Sequence, residues 1–151
     1  LDVASRVAAS GANILAVDAT RRPRPQGERF EDLIRRIHEE LRLPVMADVA
    51  TFEEGLYAAG CGAELVATTL CGYTAESRGA KLPALDLLAK LAGRLDVPVI
   101  CEGGVGSPEQ VRQAVECGAF AVVVGTAITG IGHLVEQFVA ASPMAETQKS
   151  F

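Results

Sequence analysis

Two runs in this chain restrict what it can fold into. Val97-Pro98-Val99-Ile100-Cys101 is apolar and ends abruptly in Glu102-Gly103-Gly104-Val105. Ala121-Val122-Val123-Val124 does the same, ending in Gly125-Thr126-Ala127-Ile128-Thr129. An uninterrupted apolar run of this length, closed by turn residues, is what a strand buried on both faces requires. Such strands are parallel, and each needs a crossover helix before the next can begin.

The rest of the sequence keeps that rhythm. Residues 1–10 read as an apolar-faced helix closed by Gly11, and Ile14–Asp18 as a strand. A polar, proline-rich loop follows from Thr20 to Gly27. Apolar residues at 30, 33, 34, 37 and 41 then have helical spacing and predict a helix over Phe30–Leu41. Pro44–Asp48 is the next strand. Thr51 with Glu54 forms a capping-box pattern that opens a helix ending at Gly60. Glu64–Thr69 is the third strand, Cys71–Ala80 a polar loop, Leu85–Leu95 a helix and Val97–Cys101 the fourth strand. Ser107 and Pro108 start another helix, with Gly118 near its end. Ala121–Gly125 is the fifth strand and Leu134–Ala141 the last helix. The tail from Ser142 has no apolar period and is expected to be disordered.

Three fragments repeat where a helix would turn into a strand: Ala9-Ser10-Gly11-Ala12, Ala59-Gly60-Cys61-Gly62-Ala63 and Glu116-Cys117-Gly118-Ala119. The repetition favours an α/β fold of the (β/α)8 barrel type. An open dinucleotide-binding sheet would want Gly-x-Gly-x-x-Gly after its first strand, and the sequence has none. A whole barrel takes about 250 residues, against 151 here. The expectation is therefore a partial barrel over residues 1–141, with five βα units corresponding to strands 4–8. A chain that starts at Leu1 instead of Met fits a start inside the barrel.

Composition narrows the function. The net charge is −5, with no basic block, and aromatics make up 5% with no Trp. That argues against nucleic acid. No apolar run reaches the roughly 18 residues of a membrane span, and no signal peptide is visible. The four cysteines, Cys61, Cys71, Cys101 and Cys117, match no zinc spacing and read as reduced apolar fillers of a cytoplasmic protein. No metal cluster stands out.

In a barrel, chemistry gathers where strands end. The five ends offer Asp18, Asp48, Thr68 with Thr69, Glu102, and Gly125 with Thr126. Glycines after a strand let backbone N–H groups approach a phosphate, so Gly103, Gly104, Gly125 and Thr126 form a candidate phosphate site. Glu102, at its rim, is the first candidate for acid–base work, and partial burial would raise its pKa toward that use. Asp48 is suited to orienting substrate hydroxyls or a catalytic amine. Its alternative role is to cap the next helix. Carboxylates that share one face need a proton, a cation or substrate hydroxyls between them. Thr69, Gly72 and Tyr73 sit in a segment with hydroxyls and a flexible glycine, suited to gripping a sugar. Arg21, Arg22 and Arg24 either attract an anionic substrate or stiffen a solvated loop. His38, on a helix, and His133, in a loop, read as solvated or capping residues.

These segments resemble one family. Ala16-Val17-Asp18-Ala19-Thr20-Arg21-Arg22-Pro23-Arg24-Pro25 is similar to a signature of the N-acetylmannosamine-6-phosphate 2-epimerases. Met46–Thr51 with Glu53 and Glu54, Thr68–Thr74, Pro98–Val105 and Val122–Thr129 resemble later motifs of the same family, in the same order. The resemblance implies a barrel enzyme of sialic acid breakdown. It would interconvert N-acetylmannosamine 6-phosphate and N-acetylglucosamine 6-phosphate by proton removal and return at C2, without cofactor or metal. It implies catalytic roles for Glu102 and Asp48. Substrate contacts would come from Asp18, Arg24, Thr69, Gly72, Tyr73, Gly103, Gly104, Gly125 and Thr126. The family's catalytic lysine closes the third strand, which would lie upstream of Leu1, so the chain alone is expected to be inactive. A homodimer is left open for the whole protein. The chain departs from the family at Gly104 and Gly130, where many relatives carry a basic or larger polar residue and an arginine. Two other readings stand beside this one. One is another phosphate-binding barrel enzyme, aldolase-like or thiazole-synthase-like. The other is a sugar-phosphate-binding pseudoenzyme.

Overall fold

The computed structural model describes residues 1–142. The tail expected to be disordered lies outside them, apart from Ser142. Five strands form one parallel sheet in chain order. They are β1 (Leu15–Asp18), β2 (Val45–Asp48), β3 (Leu65–Ala67), β4 (Val99–Glu102) and β5 (Ala121–Val123). The helices are α1 (Asp2–Ala9), α2 (Phe30–Arg36), α3 (Phe52–Gly60), α4 (Leu85–Ala92), α5 (Pro108–Glu116), α6 (Thr126–Thr129) and α7 (Ile131–Ala140). This is the α/β class expected, with five consecutive βα units of a barrel.

The repeated Gly-Ala fragments have one physical cause. At the end of α3, Gly62 takes φ +101° and donates to Ala59 O, while Ala63 N donates back to Ala58 O. At the end of α5, Gly118 takes φ +96° and donates to Val115 O, while Ala119 N reaches Ala114 O. Both are Schellman exits, in which a left-handed glycine satisfies two orphan carbonyls. Each exit aims the chain back into the sheet. Cys61 and Cys117 are the residues just before these glycines, and all four cysteines are unpaired.

Several elements differ from expectation. The helix after the proline-rich loop is α-helical only to Arg36. Ile37–Leu41 widens into a π turn, closed by Arg42 at φ +57°. Thr68 and Thr69 fall beyond β3, although Thr68 N still donates to Ile100 O. The short helix α6 follows directly on β5, and His133 lies within α7 rather than in a loop.

Alternation along the strands separates two faces. Leu15, Val45, Ala47, Val66, Val99 and Cys101 join the core beneath the helices. Leu88 and Leu91 of α4 are fully buried there. Gly55 lets α3 approach α4 closely, since a Cβ at that position would lie 2.4 Å from Leu91 Cδ2. The opposite face, which no helix covers, carries Ala16, Asp18, Met46, Asp48, Ile100 and Glu102. The register pairs Asp18 with Asp48, Asp48 with Ala67, Ala67 with Ile100, and Glu102 with Val123. The three carboxylates at the strand ends therefore share the concave face. Among the described residues β1 and β5 each pair on one side only. Phe120, Ile131 and Phe138 are exposed around β5.

Candidate active site

At the carboxyl ends of β4 and β5 a cavity of about 540 Å³ opens. Glu102 lines it, followed by Gly103, Gly104 and Val105. Gly125, Thr126 and Ala127 form the opposite side, and Thr69 and Tyr73 reach in from the loop after β3. Seven of the residues expected at the site thus meet in one cleft. Leu70, Val105, Val123 and Ala127 also line it. Sequence reasoning did not single them out, because apolar residues at a strand end carry no chemical signal.

Backbone geometry explains the glycines. Gly103 and Gly104 have φ +105° and +70°, where a side chain is strained. A Cβ on Gly104 would also lie 2.5 Å from Leu82 Cβ. Gly104→Ala is therefore expected to cost more than about 1 kcal/mol and to displace the Leu82 loop. Thermal melting of the variant checks this, and an unchanged midpoint would refute it. Gly130 is equally confined, with Thr126 O lying 2.6 Å from where its Cβ would be.

Glu102 is held through its main chain. Thr68, fully buried, donates its hydroxyl to Glu102 O at 2.9 Å and accepts from Glu102 N at 3.1 Å. The hydroxyl continues the ladder where β3 has ended, so the carboxylate projects from a fixed backbone.

Asp48 does not line the cleft itself. It accepts a hydrogen bond of 2.7 Å from Thr69 Oγ1, and Thr69 does line it. Burial, with the negative charges of Glu102 and Asp18 added, pushes the Asp48 carboxyl up to about 6 despite the Thr69 bond. The unfolded value is near 3.8. Stability from this group is full below that value and is lost as pH rises through about 6. Asp48→Asn should therefore flatten the dependence of stability on pH between 4 and 7 (approximate bounds of the linkage window). Urea midpoints at the two ends test it, and an unaltered slope would count against the assignment.

Asp18, Arg24 and Gly72 stand outside the lining. Asp18 Oδ1 accepts from Thr20 N and Thr20 Oγ1 at 2.8 and 2.6 Å, and Oδ2 pairs with Arg22 at 2.7 Å. Burial opposes ionisation of Asp18, but the two Thr20 bonds and the Arg22 and Arg24 charges together hold its carboxyl below the usual range. Arg24 folds back to donate to Asp18 O, and its guanidinium lies 5.3 Å from the Phe30 ring centre. Of the two readings of the arginine loop, stiffening describes Arg22 and Arg24. Gly72 turns its loop at φ +88° and donates its N–H to Ser77 Oγ at 2.9 Å.

Glu54 does more than cap α3. It is 2% exposed. One carboxylate oxygen accepts from Ala50 N and Thr51 N at 2.9 and 3.1 Å, and the other from Arg21 N at 3.0 Å. It ties the loop after β1 to the loop after β2, across the end of the sheet that carries Asp18 and Asp48. Among the described residues no group of three His, Cys, Asp or Glu could hold a metal. No helix there is long and apolar enough to cross a membrane.

Comparison with known proteins places this geometry. Residues 2–143 match the family model described as "Putative N-acetylmannosamine-6-phosphate epimerase". The chain belongs to that family. A relative from Synechococcus elongatus, carrying the corresponding 2-epimerase name, is 52% identical over 91% of this chain and 60% of its own length. One from Thermosynechococcus vestitus is 50% identical over 89% and 58%. The solved N-acetylmannosamine-6-phosphate 2-epimerase of Clostridium perfringens superposes with a TM-score of 0.86 at 37% identity, over 92% of this chain and 60% of that one. The chain thus spans about 60% of the length of these members of the epimerase family. A thiamine phosphate pyrophosphorylase from Pyrococcus furiosus, TM-score 0.63 at 20% identity, shares the fold.

Proposed function

We propose that this chain supplies the phosphate-binding wall and one proton-transfer group of an epimerase. The enzyme would interconvert N-acetylmannosamine 6-phosphate and N-acetylglucosamine 6-phosphate by exchanging the proton at C2. The observation that carries the proposal is Glu102 standing in one cleft with the Gly103-Gly104 and Gly125-Thr126 turns. The turns receive the phosphate on backbone N–H groups. Glu102 then faces the sugar and exchanges a proton on one side of C2. Asp48 and Thr69 orient the sugar hydroxyls beside it, Tyr73 closes over the open side, and Asp18 braces the neighbouring strand end. The neighbouring carbonyl of the open-chain sugar spreads the charge left at C2. The second proton-transfer group, a lysine by resemblance, comes from outside residues 1–151. The chain alone is accordingly expected to bind sugar phosphate without turnover. The setting is sialic acid breakdown in the cytoplasm, in keeping with unpaired cysteines at the ends of helices and in the core.

Deuterium wash-in tests this reading. A protein carrying these five units within a chain of the relatives' full length is incubated with N-acetylmannosamine 6-phosphate in D₂O and followed by NMR. Deuterium at C2 in both sugars, with one equilibrium ratio approached from either side, is the expected result. Binding without exchange would leave a sugar-phosphate-binding protein that is no epimerase.

A further inference from the structure

A second cavity of about 170 Å³ adjoins the main cleft. The two share Gly104, Val105, Thr126 and Ala127. Helix α7 forms the remaining wall and brings His133, Leu134 and Gln137 to it. At about 30 Å³ per water, the space holds a few waters or one tetrahedral oxyanion.

Charge gives this cavity its meaning. Neither space is lined by a lysine or an arginine, and of the residues lining them His133 is the one that can become a cation. The main cleft carries Glu102, with Asp48 reaching it through Thr69. A dianion resting on the glycine turns would face a carboxylate on one side, and backbone N–H groups offer only partial charges against it. A full positive charge on the far side would offset that repulsion. His133 lines the cavity on that side, and in the neutral form its ring nitrogen accepts from the Gln137 side-chain amide. Its Nε2 lies 3.1 Å from Gln137 Nε2, one helical turn further along α7. The loop after β4 and helix α6, which form the rest of the cavity, bring no titratable group to it. Glu102 stands beyond the shared wall, and Glu136 is on α7 itself.

We propose that His133 is a substrate-binding side chain that meets the phosphate of a phosphate monoester as the imidazolium, giving up the Gln137 contact, which only the neutral ring can accept. This rests on the phosphate reading above, so the experiment must separate the two. The chain has two histidines. His38, paired with Glu64 at 3.2 Å beside the start of β2, serves as an internal reference.

The imidazole signals of both histidines are followed by NMR over pH, with and without saturating inorganic phosphate, together with the backbone amides of Gly103 and Gly125. Phosphate is expected to raise the His133 midpoint by about half a pH unit or more and to leave His38 in place. His133→Asn is expected to weaken phosphate binding about tenfold near pH 6 while the His38 signal stays native. Saturation of the glycine amides with no movement of His133, or with unchanged affinity in His133→Asn, overturns the proposal and leaves the phosphate reading standing. Silence of both the amides and His133 overturns both.

Discussion

Glu102→Gln, in a chain of the relatives' full length, is expected to lower kcat by about 10²–10⁴-fold, the typical contribution of one acid–base group, with KM changed little. The substitution keeps size and hydrogen-bonding shape but removes the ionisable carboxyl on which the proposed proton transfer depends. The backbone should stay in place, because Thr68 grips Glu102 through its N–H and C=O and not through the carboxylate. The glycine turns proposed to receive phosphate are likewise untouched. The split between kcat and KM is therefore the diagnostic. Equal losses in binding and turnover would assign Glu102 to substrate binding. A variant with near-normal exchange at C2 would remove it from the chemistry altogether.

Glu54→Ala is expected to produce the largest loss of stability among single polar substitutions. Three backbone N–H groups, of Arg21, Ala50 and Thr51, converge on this carboxylate. Stranding a buried donor costs about 1–3 kcal/mol, so a total of about 2 kcal/mol or more is expected even if water reaches one of the three. The capping box of α3 is lost at the same time. Glu54→Gln should recover only part of this, because its NH₂ would face donors. Urea unfolding near pH 7 measures both variants. A loss under about 1 kcal/mol in Glu54→Ala would show that the two loops are held by other contacts. The arginine loop carries the other part of the test. Arg22 and Arg24 are already bound to Asp18, so loosening of this loop in the variant should appear as exchange of the Arg21 and Thr20 amides.

Much of this architecture was written locally. The apolar runs, the Thr51–Glu54 and Ser107–Pro108 helix starts and the glycines at 62 and 118 each act over a few residues, and the chain folds as they specify. Where local rules competed, boundaries moved. The helix from Phe30 has no glycine to end it, so it widens into a π turn and leaves through Arg42 in the left-handed region. Thr126–Thr129, after the fifth strand expected to end at Gly125, has no element assigned to it by local pattern. It becomes a helical turn because Gly125 lets the chain bend and Thr126 O receives Gly130 N.

The sequence by itself determined the order of elements, the exits from the helices and the fact that carboxylates and glycines sit at strand ends. Those are properties of neighbours along the chain. Only the tertiary structure decided which of these groups act on one another. Parallel register brings Asp18, Asp48 and Glu102, far apart in sequence, onto one uncovered face, and burial, with the charges of Glu102 and Asp18 added, raises Asp48. Packing turned Glu54 from a helix cap into a brace between two loops, because Arg21 N arrives from another strand's end. It turned His133 from a residue read as solvated or capping into a wall of the cavity beside the glycines. Electrostatic and hydrogen-bond energies depend on distance in space, and that distance is fixed only when the sheet assembles.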